Sequence, residues 1–164
     1  MNITFEKVNT SHLNCIAEIY SYYILNTTFT FHCHVLNTEE IKELVIFVNQ
    51  RNAAFLIRQN NNIAGYVILG KHSEREAFDD TGEVAVYLKP EFCGKGIGEH
   101  ALQFIEDYAK NKGFHVLIAE ICTENSKSIR LFERNGYAKC GHYREVGKKF
   151  GRLLDLAVYQ KIIG

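Results

Sequence analysis

The stretch VAVYLKPEFCGKGIGEHA, residues 84–101, decides how this chain is read. A β-branched alternating run stops at Pro90, which has no N–H to give a strand ladder, and Gly94, Gly96 and Gly98 then lead directly into helical spacing. Strand, stop, glycine turn and helix in that order suggest an anion cradle. Without Cβ atoms in the way, main-chain N–H groups can converge on phosphate oxygens at a helix N-terminus, where the dipole favours negative charge. Lys95 adds a mobile cation. The plain alternative is a turn that only lets strand and helix pack closely; three alternating glycines with a lysine favour phosphate over it.

Two nucleotide patterns are tested by this stretch. The Walker pattern fails, because Lys95 lacks the glycine frame before it and Gly96 stands where Ser or Thr belongs. The dinucleotide pattern G-x-G-x-x-A is met by Gly96, Gly98 and Ala101, with Glu120 at about the distance of a ribose ligand. Lys89 to Cys93 separate those glycines from their strand, so this reading stands second.

Working outward, Gly82–Leu88 is a strand, residues 98–112 a helix closed by Gly113, and Val116–Cys122 a further strand. Asn125 or Ser126 opens a last helix that stops at Gly136, followed by strands at residues 138–145 and 153–161. Upstream, Thr4–Val8 reads as a strand. Ser11 caps an amphipathic helix to Leu25, and Thr38 opens a second helix with an acidic first turn that ends near Gln50. Residues 53–58 and 63–70 form a hairpin about Asn60–Asn62. The order β α α β β β α β α β β predicts an α/β (α+β) fold with a mixed sheet and helices on its faces.

Composition agrees with a globular domain and excludes several functions. The 164 residues are 46% hydrophobic and 23% charged, and 19 basic side chains balance 19 acidic ones. No global positive field draws in nucleic acid or an anionic membrane, so the expected ligand is small. No window reaches the roughly 18 apolar residues of a membrane span, and no signal-peptide pattern opens the chain. Five cysteines without a C-x-x-C pair argue against a disulfide framework or zinc ribbon and fit a reducing cytoplasm. His32-Cys33-His34 alternates across an extended segment with no second ligand pair nearby, so no metal site is expected.

These motifs carry a family resemblance. The strand, Pro90 and Cys93-Gly-Lys-Gly-Ile-Gly98 resemble the acetyl-CoA pyrophosphate loop of the GNAT acetyltransferase superfamily, with Cys93 where Gln or Arg is usual. Asn125-Ser-Lys-Ser-Ile-Arg-Leu-Phe-Glu-Arg-Asn-Gly-Tyr137 is similar to its second signature. More narrowly, Ile19-Tyr20 to Thr30-Phe31, Arg75-x-Ala-Phe, Thr81-Gly-Glu-Val-Ala-Val-Tyr87 and Gly147-Lys-Lys-Phe-Gly-Arg152 to Asp155 resemble phosphinothricin and methionine sulfoximine N-acetyltransferases. The resemblance covers nearly the whole chain and implies one GNAT domain over residues 1–164, with a mostly antiparallel central sheet flanked by helices.

It also implies roles. Acetyl-CoA would pair with main-chain groups of Val86, Tyr87 and Leu88, seat its pyrophosphate on Gly94, Lys95, Gly96, Ile97 and Gly98, and meet Asn125 along its distal arm. Glu83 takes the position of the family's general base, and the chemistry agrees, since an ammonium acceptor must lose a proton before it can attack a thioester. Period two puts Glu83, Ala85 and Tyr87 on one face of their strand. Arg75 would grip the α-carboxylate of an amino acid and Phe31 would form an apolar wall. Ser73 departs from the basic residue seen there in phosphinothricin-acetylating relatives. Phe132 stands where relatives carry His or Tyr and leaves the general acid open; Lys149 is left unassigned. Relatives are commonly homodimers. The alternatives are an acetyltransferase of protein N-termini or lysine, and a nucleotide-binding domain without that activity.

Overall fold

The computed structural model describes residues 1–164. The elements are β1 (Ile3–Lys7), α1 (Leu13–Asn26), α2 (Thr38–Val45), β2 (Ala53–Gln59), β3 (Asn62–Lys71), β4 (Thr81–Leu88), α3 (Ile97–Asn111), β5 (Val116–Cys122), α4 (Ser126–Arg134), β6 (Ala138–Lys149) and β7 (Arg152–Ile162). Their order is the expected one, with short 3-10 turns added at Thr10–His12, Glu76–Phe78 and Pro90–Phe92. The seven strands form one sheet in the order β1-β2-β3-β4-β5-β7-β6. Every neighbouring pair is antiparallel except β4 and β5.

Strand alternation divides the apolar side chains between two layers. On one face Leu56 and Tyr66 pack with Ile16, Ile19 and Ile24 of α1 and Ile41 of α2. On the other, Ile57, Val67, Leu69, Leu117 and Ala119 pack with Leu102 and Ile105 of α3 and Phe132 of α4.

Several boundaries differ from the sequence reading for local reasons. Asn9, not Ser11, caps the entry to the first helical segment. Its side chain accepts from the Ser11 N–H, while the His12 ring accepts from the Asn9 N–H. Asn37 forms the same reciprocal pair with Glu40 and opens α2, one residue before Thr38. That helix stops at Val45 because Ile46 turns into extended backbone, which suits its branched side chain. The closing hairpin is longer than expected, since two register shifts let β6 run to Lys149.

Candidate functional site

The parallel pairing of β4 with β5 is brief, Thr81↔Val116, Gly82↔Leu117 and Glu83↔Ile118. Beyond Glu83, β4 continues beside β3 alone, from Leu69↔Val84 to Gly65↔Leu88. A bond of 2.8 Å from the Lys89 N–H to the Ala64 carbonyl fixes the phase of that ladder. Antiparallel bonding alternates, so the odd-numbered residues of β4 turn their main chain toward β3. Val84, Val86 and Leu88 therefore turn theirs toward the gap left by β5. The Leu88 carbonyl accepts from the Tyr23 hydroxyl; the other groups of this edge can pair with an added extended ligand. Tyr87 differs from the sequence expectation here. Its main chain is occupied by Tyr66 of β3, and its ring lies against Tyr20, Tyr23 and Tyr66 on the α1 face.

At the end of the same gap stands the glycine turn. Gly94 and Gly96 have φ of +74° and +80°, the left-handed region that glycine enters without steric cost, and a Cβ at either would point into open space. Gly96 is the N-cap residue of α3. From Gly94 to Glu99, six consecutive N–H groups have no acceptor inside the protein, and they gather at the positive end of a fifteen-residue helix. Lys95 lies 5.6 Å from the centre of the Phe92 ring. Gly98 has a different use: a Cβ there would sit 3.0 Å from Leu131 Cδ2, so its small size lets α3 approach α4. Across the gap, Asn125 Oδ1 accepts from the Ser128 N–H at 3.2 Å and caps α4, leaving its Nδ2 group free to donate.

Glu83 sits where the two strands part. Its partners across the sheet are Gly70 and Ile118, and period two then places His72 and Glu120 on its face, one on each side. His72 Nδ1 lies 2.9 Å from Glu83 Oε1. Burial pushes the Glu83 carboxyl up, and the like charge of Glu120 adds to this, while the bond and charge of His72 oppose it. Glu120 occupies the face opposite α3, away from the cradle, so it cannot serve a ribose bound there; the dinucleotide reading fails on that geometry.

Comparison with known proteins decides the family. The model of the acetyltransferase (GNAT) family matches residues 17–137. The chain belongs to that family. An L-methionine sulfoximine/L-methionine sulfone acetyltransferase of Salmonella typhimurium is 31% identical over 151 residues, covering 88% of this chain and 85% of the relative. A phosphinothricin acetyltransferase from Sinorhizobium meliloti, solved in complex with acetyl-CoA, superposes with a TM-score of 0.91 at 27% identity, covering 100% and 90% of the two chains. A ribosomal-protein-alanine N-acetyltransferase from Brucella melitensis superposes at 0.88 with 28% identity, covering 97% and 99%. The chain is thus a GNAT N-acetyltransferase with acetyl-CoA as co-substrate. The free edge of β4 and the unbonded amides of residues 94–99 fit a pantetheine arm and a pyrophosphate.

Phe31 and Arg75, the residues expected to meet the acceptor, both lie on loops. Phe31 is 42% exposed, and its ring covers Gly147 of β6. Lys149 is 4% exposed; its ammonium donates to the Thr30 carbonyl at 2.9 Å, and burial lowers its pKa. It thereby ties the last hairpin to the segment that carries Phe31. Arg75 starts the 3-10 turn at Glu76–Phe78; its guanidinium is exposed and makes no internal bond. Phe132 is 2% exposed, packed edge-on against Tyr137, so the ring that replaces His or Tyr is a core residue.

Sequence reasoning missed a polar group beneath these loops. The Tyr20 hydroxyl bonds Thr30 Oγ1 at 2.5 Å and His32 Nδ1 at 2.6 Å, and the Tyr20 ring meets Tyr87 edge-on. Helical spacing puts Tyr20 on the apolar face of α1, where it is buried, but spacing says nothing of where a hydroxyl points. His32 and His34 bond to Tyr20 and Glu40 respectively, and no group of three or more His, Cys, Asp or Glu side chains is arranged so that it could hold a metal ion. A cleft of about 400 Å³ lies between Thr28, Glu124 and Arg152, with Phe29 and Phe150 in its lining.

Proposed function

We propose that this acetyltransferase moves the acetyl group of acetyl-CoA to the amino group of a small amino acid or amino-acid analogue, of the methionine sulfoximine, methionine sulfone or phosphinothricin type, with Glu83 as general base. The observation that carries the base assignment is a carboxylate, 35% exposed and bonded to an imidazole, at the point where β4 leaves β5. An acceptor amine is largely protonated near neutral pH and becomes nucleophilic only when a proton is removed. A carboxyl raised by burial is a better proton acceptor than an ordinary one, which suits Glu83 to that step.

Bound acetyl-CoA supplies the thioester electrophile. In this reading Val86 and Leu88 hold the pantetheine arm through main-chain groups. The amides from Gly94 to Gly98 and the Lys95 ammonium hold the pyrophosphate, and Asn125 Nδ2 donates to the distal arm. Arg75 presents an unpartnered planar fork for the acceptor carboxylate, and Phe31 gives an apolar wall for its side chain. Phe132 cannot donate a proton, so the departing thiolate takes one from water or from the amine nitrogen itself. Residues 1–164 act as one catalytic domain. A homodimer in the cytoplasm completes the reading; exposed Val146, Phe150 and Leu153 at the last hairpin are the kind of surface a second copy covers, and all five cysteines are unpaired.

The test is thiol release from acetyl-CoA with a panel of amines: methionine sulfone, methionine sulfoximine, phosphinothricin, and peptide N-termini. Preference for free amino acids by at least tenfold in kcat/KM is expected. The similarity to the ribosomal-protein-alanine enzyme favours protein N-termini as the second reading, and preference for a peptide would establish it in place of the first.

A further inference from the structure

The geometry points to His72 as the residue that carries the acceptor's proton from Glu83 to solvent. The inference deepens the reading of Glu83 as general base and rests on it. Sequence period and sheet register put His72 on the face of Glu83 as its diagonal neighbour on β3, and the ring nitrogen meets the carboxylate at 2.9 Å. The surroundings favour transfer in this direction. Glu120 reaches the same carboxyl from β5, the Phe78 ring covers His72 edge-on at 5.7 Å between centres, and Lys71, on the other face of β3, is paired with Glu74. No other cation is bonded to Glu83, so the imidazole is its one basic partner.

In this reading the acceptor and the thioester lie over the carboxyl, so its proton needs another outlet. Acetylation of an ammonium releases two protons: one leaves before attack and reaches bulk water, and the other leaves the amine nitrogen afterwards and reaches the thiolate. The first passes from the ammonium to Glu83 and on to Nδ1 of the His72 Nε2–H tautomer, the imidazolium gives its Nε2 proton to water, and exchange of the ring tautomer through solvent frees Nδ1 for the next turnover. The C–N bond forms and the C–S bond breaks without any change of oxidation state. The His72 side chain is 29% exposed, so its far edge meets solvent while its near edge holds Glu83. An imidazole ring can both take up and release a proton, which suits it to a carrier's role.

His72→Gln keeps a donor and an acceptor beside Glu83 but cannot carry a proton, and His72→Ala leaves room for an added base. Both are assayed with the best acceptor of the amine panel, beside Glu83→Gln. A fall of about 10- to 100-fold in kcat is expected in both His72 variants, with unchanged acetyl-CoA affinity by calorimetry and a changed dependence of kcat/KM on pH. Free imidazole should restore His72→Ala in a saturable way that follows the neutral base. Full turnover with an unchanged pH profile in His72→Gln overturns the relay, as does a slow His72→Ala that imidazole does not rescue. If Glu83→Gln itself retains turnover, the base assignment has failed and the relay with it. If Glu83→Gln is inactive while His72→Gln is normal, the relay alone has failed.

Discussion

The two halves of the site are made of different material. On the proposed acetyl-CoA side the recognition groups are main chain: the even-numbered residues of β4 and the six unbonded amides from Gly94 to Glu99. On the proposed acceptor side they are the side chains of Phe31, over Gly147, and Arg75, at a 3-10 turn, backed by Tyr20 of α1 bonded to Thr30 and His32 and by Lys149 of β6 reaching the Thr30 carbonyl. Main-chain recognition tolerates substitution, which is why Cys93 can stand where relatives carry Gln or Arg. Side-chain recognition does not, and its specificity changes with single residues. Glu83 lies on the border, fixed by strand register yet working through its side chain.

The largest effect should come from that border. Glu83→Gln keeps the size and the bond to His72 but cannot accept a proton, so kcat should fall by roughly 100- to 10,000-fold with acetyl-CoA affinity nearly unchanged. The wild-type profile should lose activity as pH falls and show no descending limb at high pH, since Phe132 supplies no acid. Burial raises the Glu83 carboxyl, which means that its charged form is disfavoured in the folded state. Its contribution to stability is therefore greatest at low pH, below its unfolded value, and is lost as pH rises through the raised folded value. Glu83→Gln should accordingly gain stability relative to wild type near pH 7 and not near pH 4, as thermal melts at the two pH values would reveal. Wild-type turnover in Glu83→Gln would move the base to Glu120 or to water.

Next in size is the acceptor side. Replacing the α-carboxylate of methionine sulfone by a primary amide leaves the Arg75 guanidinium underpaired and should cost about 1.5 to 3 kcal/mol in kcat/KM. An enzyme that treats acid and amide alike has no such grip, and the protein N-terminus reading gains.

The acetyl-CoA side should respond to backbone geometry rather than to side-chain chemistry. Gly96→Val forces a β-branched residue to φ +80° and puts its Cβ in the cradle, so affinity for acetyl-CoA should fall by about tenfold or more, from roughly 1 to 2 kcal/mol of strain and lost approach. Gly98→Ala keeps the helical backbone and presses only on the Leu131 side chain, so affinity should stay close to normal whichever way the melting temperature moves. Calorimetry and melting curves of the two variants separate cradle from packing. Equal affinity in Gly96→Val and wild type would end the cradle assignment.

The same division explains what the sequence made legible. Order of elements, the glycine turn, Pro90 as a stop and the face of Glu83 all follow from local rules of propensity and period, and each was readable. The parting of β4 from β5 was not, because it depends on a parallel pairing between strands separated by a whole helix. His72 escaped because only the register of β3 against β4 brings it to Glu83. The bond of Lys149 to Thr30 joins residues 119 apart in sequence, and no spacing rule spans that distance. The family resemblance implies a free-edge role for Tyr87 along with Val86 and Leu88, and period two cannot correct it, because it identifies the face of a side chain but not which neighbouring strand takes the main chain.

The smallest effect divides the two uses of a single side chain. Asn125 Oδ1 caps α4, and its Nδ2 is free for acetyl-CoA. Asn125→Ala removes both and should cost about 1 kcal/mol of stability, a drop of roughly 2 to 4 °C in Tm for a chain of this size. Asn125→Asp keeps the cap, since a carboxylate accepts from the Ser128 N–H as well as an amide does and suits the positive helix end. It loses the donor and brings negative charge toward an anionic ligand. Its Tm should therefore match wild type while acetyl-CoA binding weakens by about 1 kcal/mol, near fivefold. Both numbers come from melts and calorimetry on the same preparations. An aspartate variant that binds acetyl-CoA as tightly as wild type would confine Asn125 to capping and leave the distal arm to main-chain groups alone.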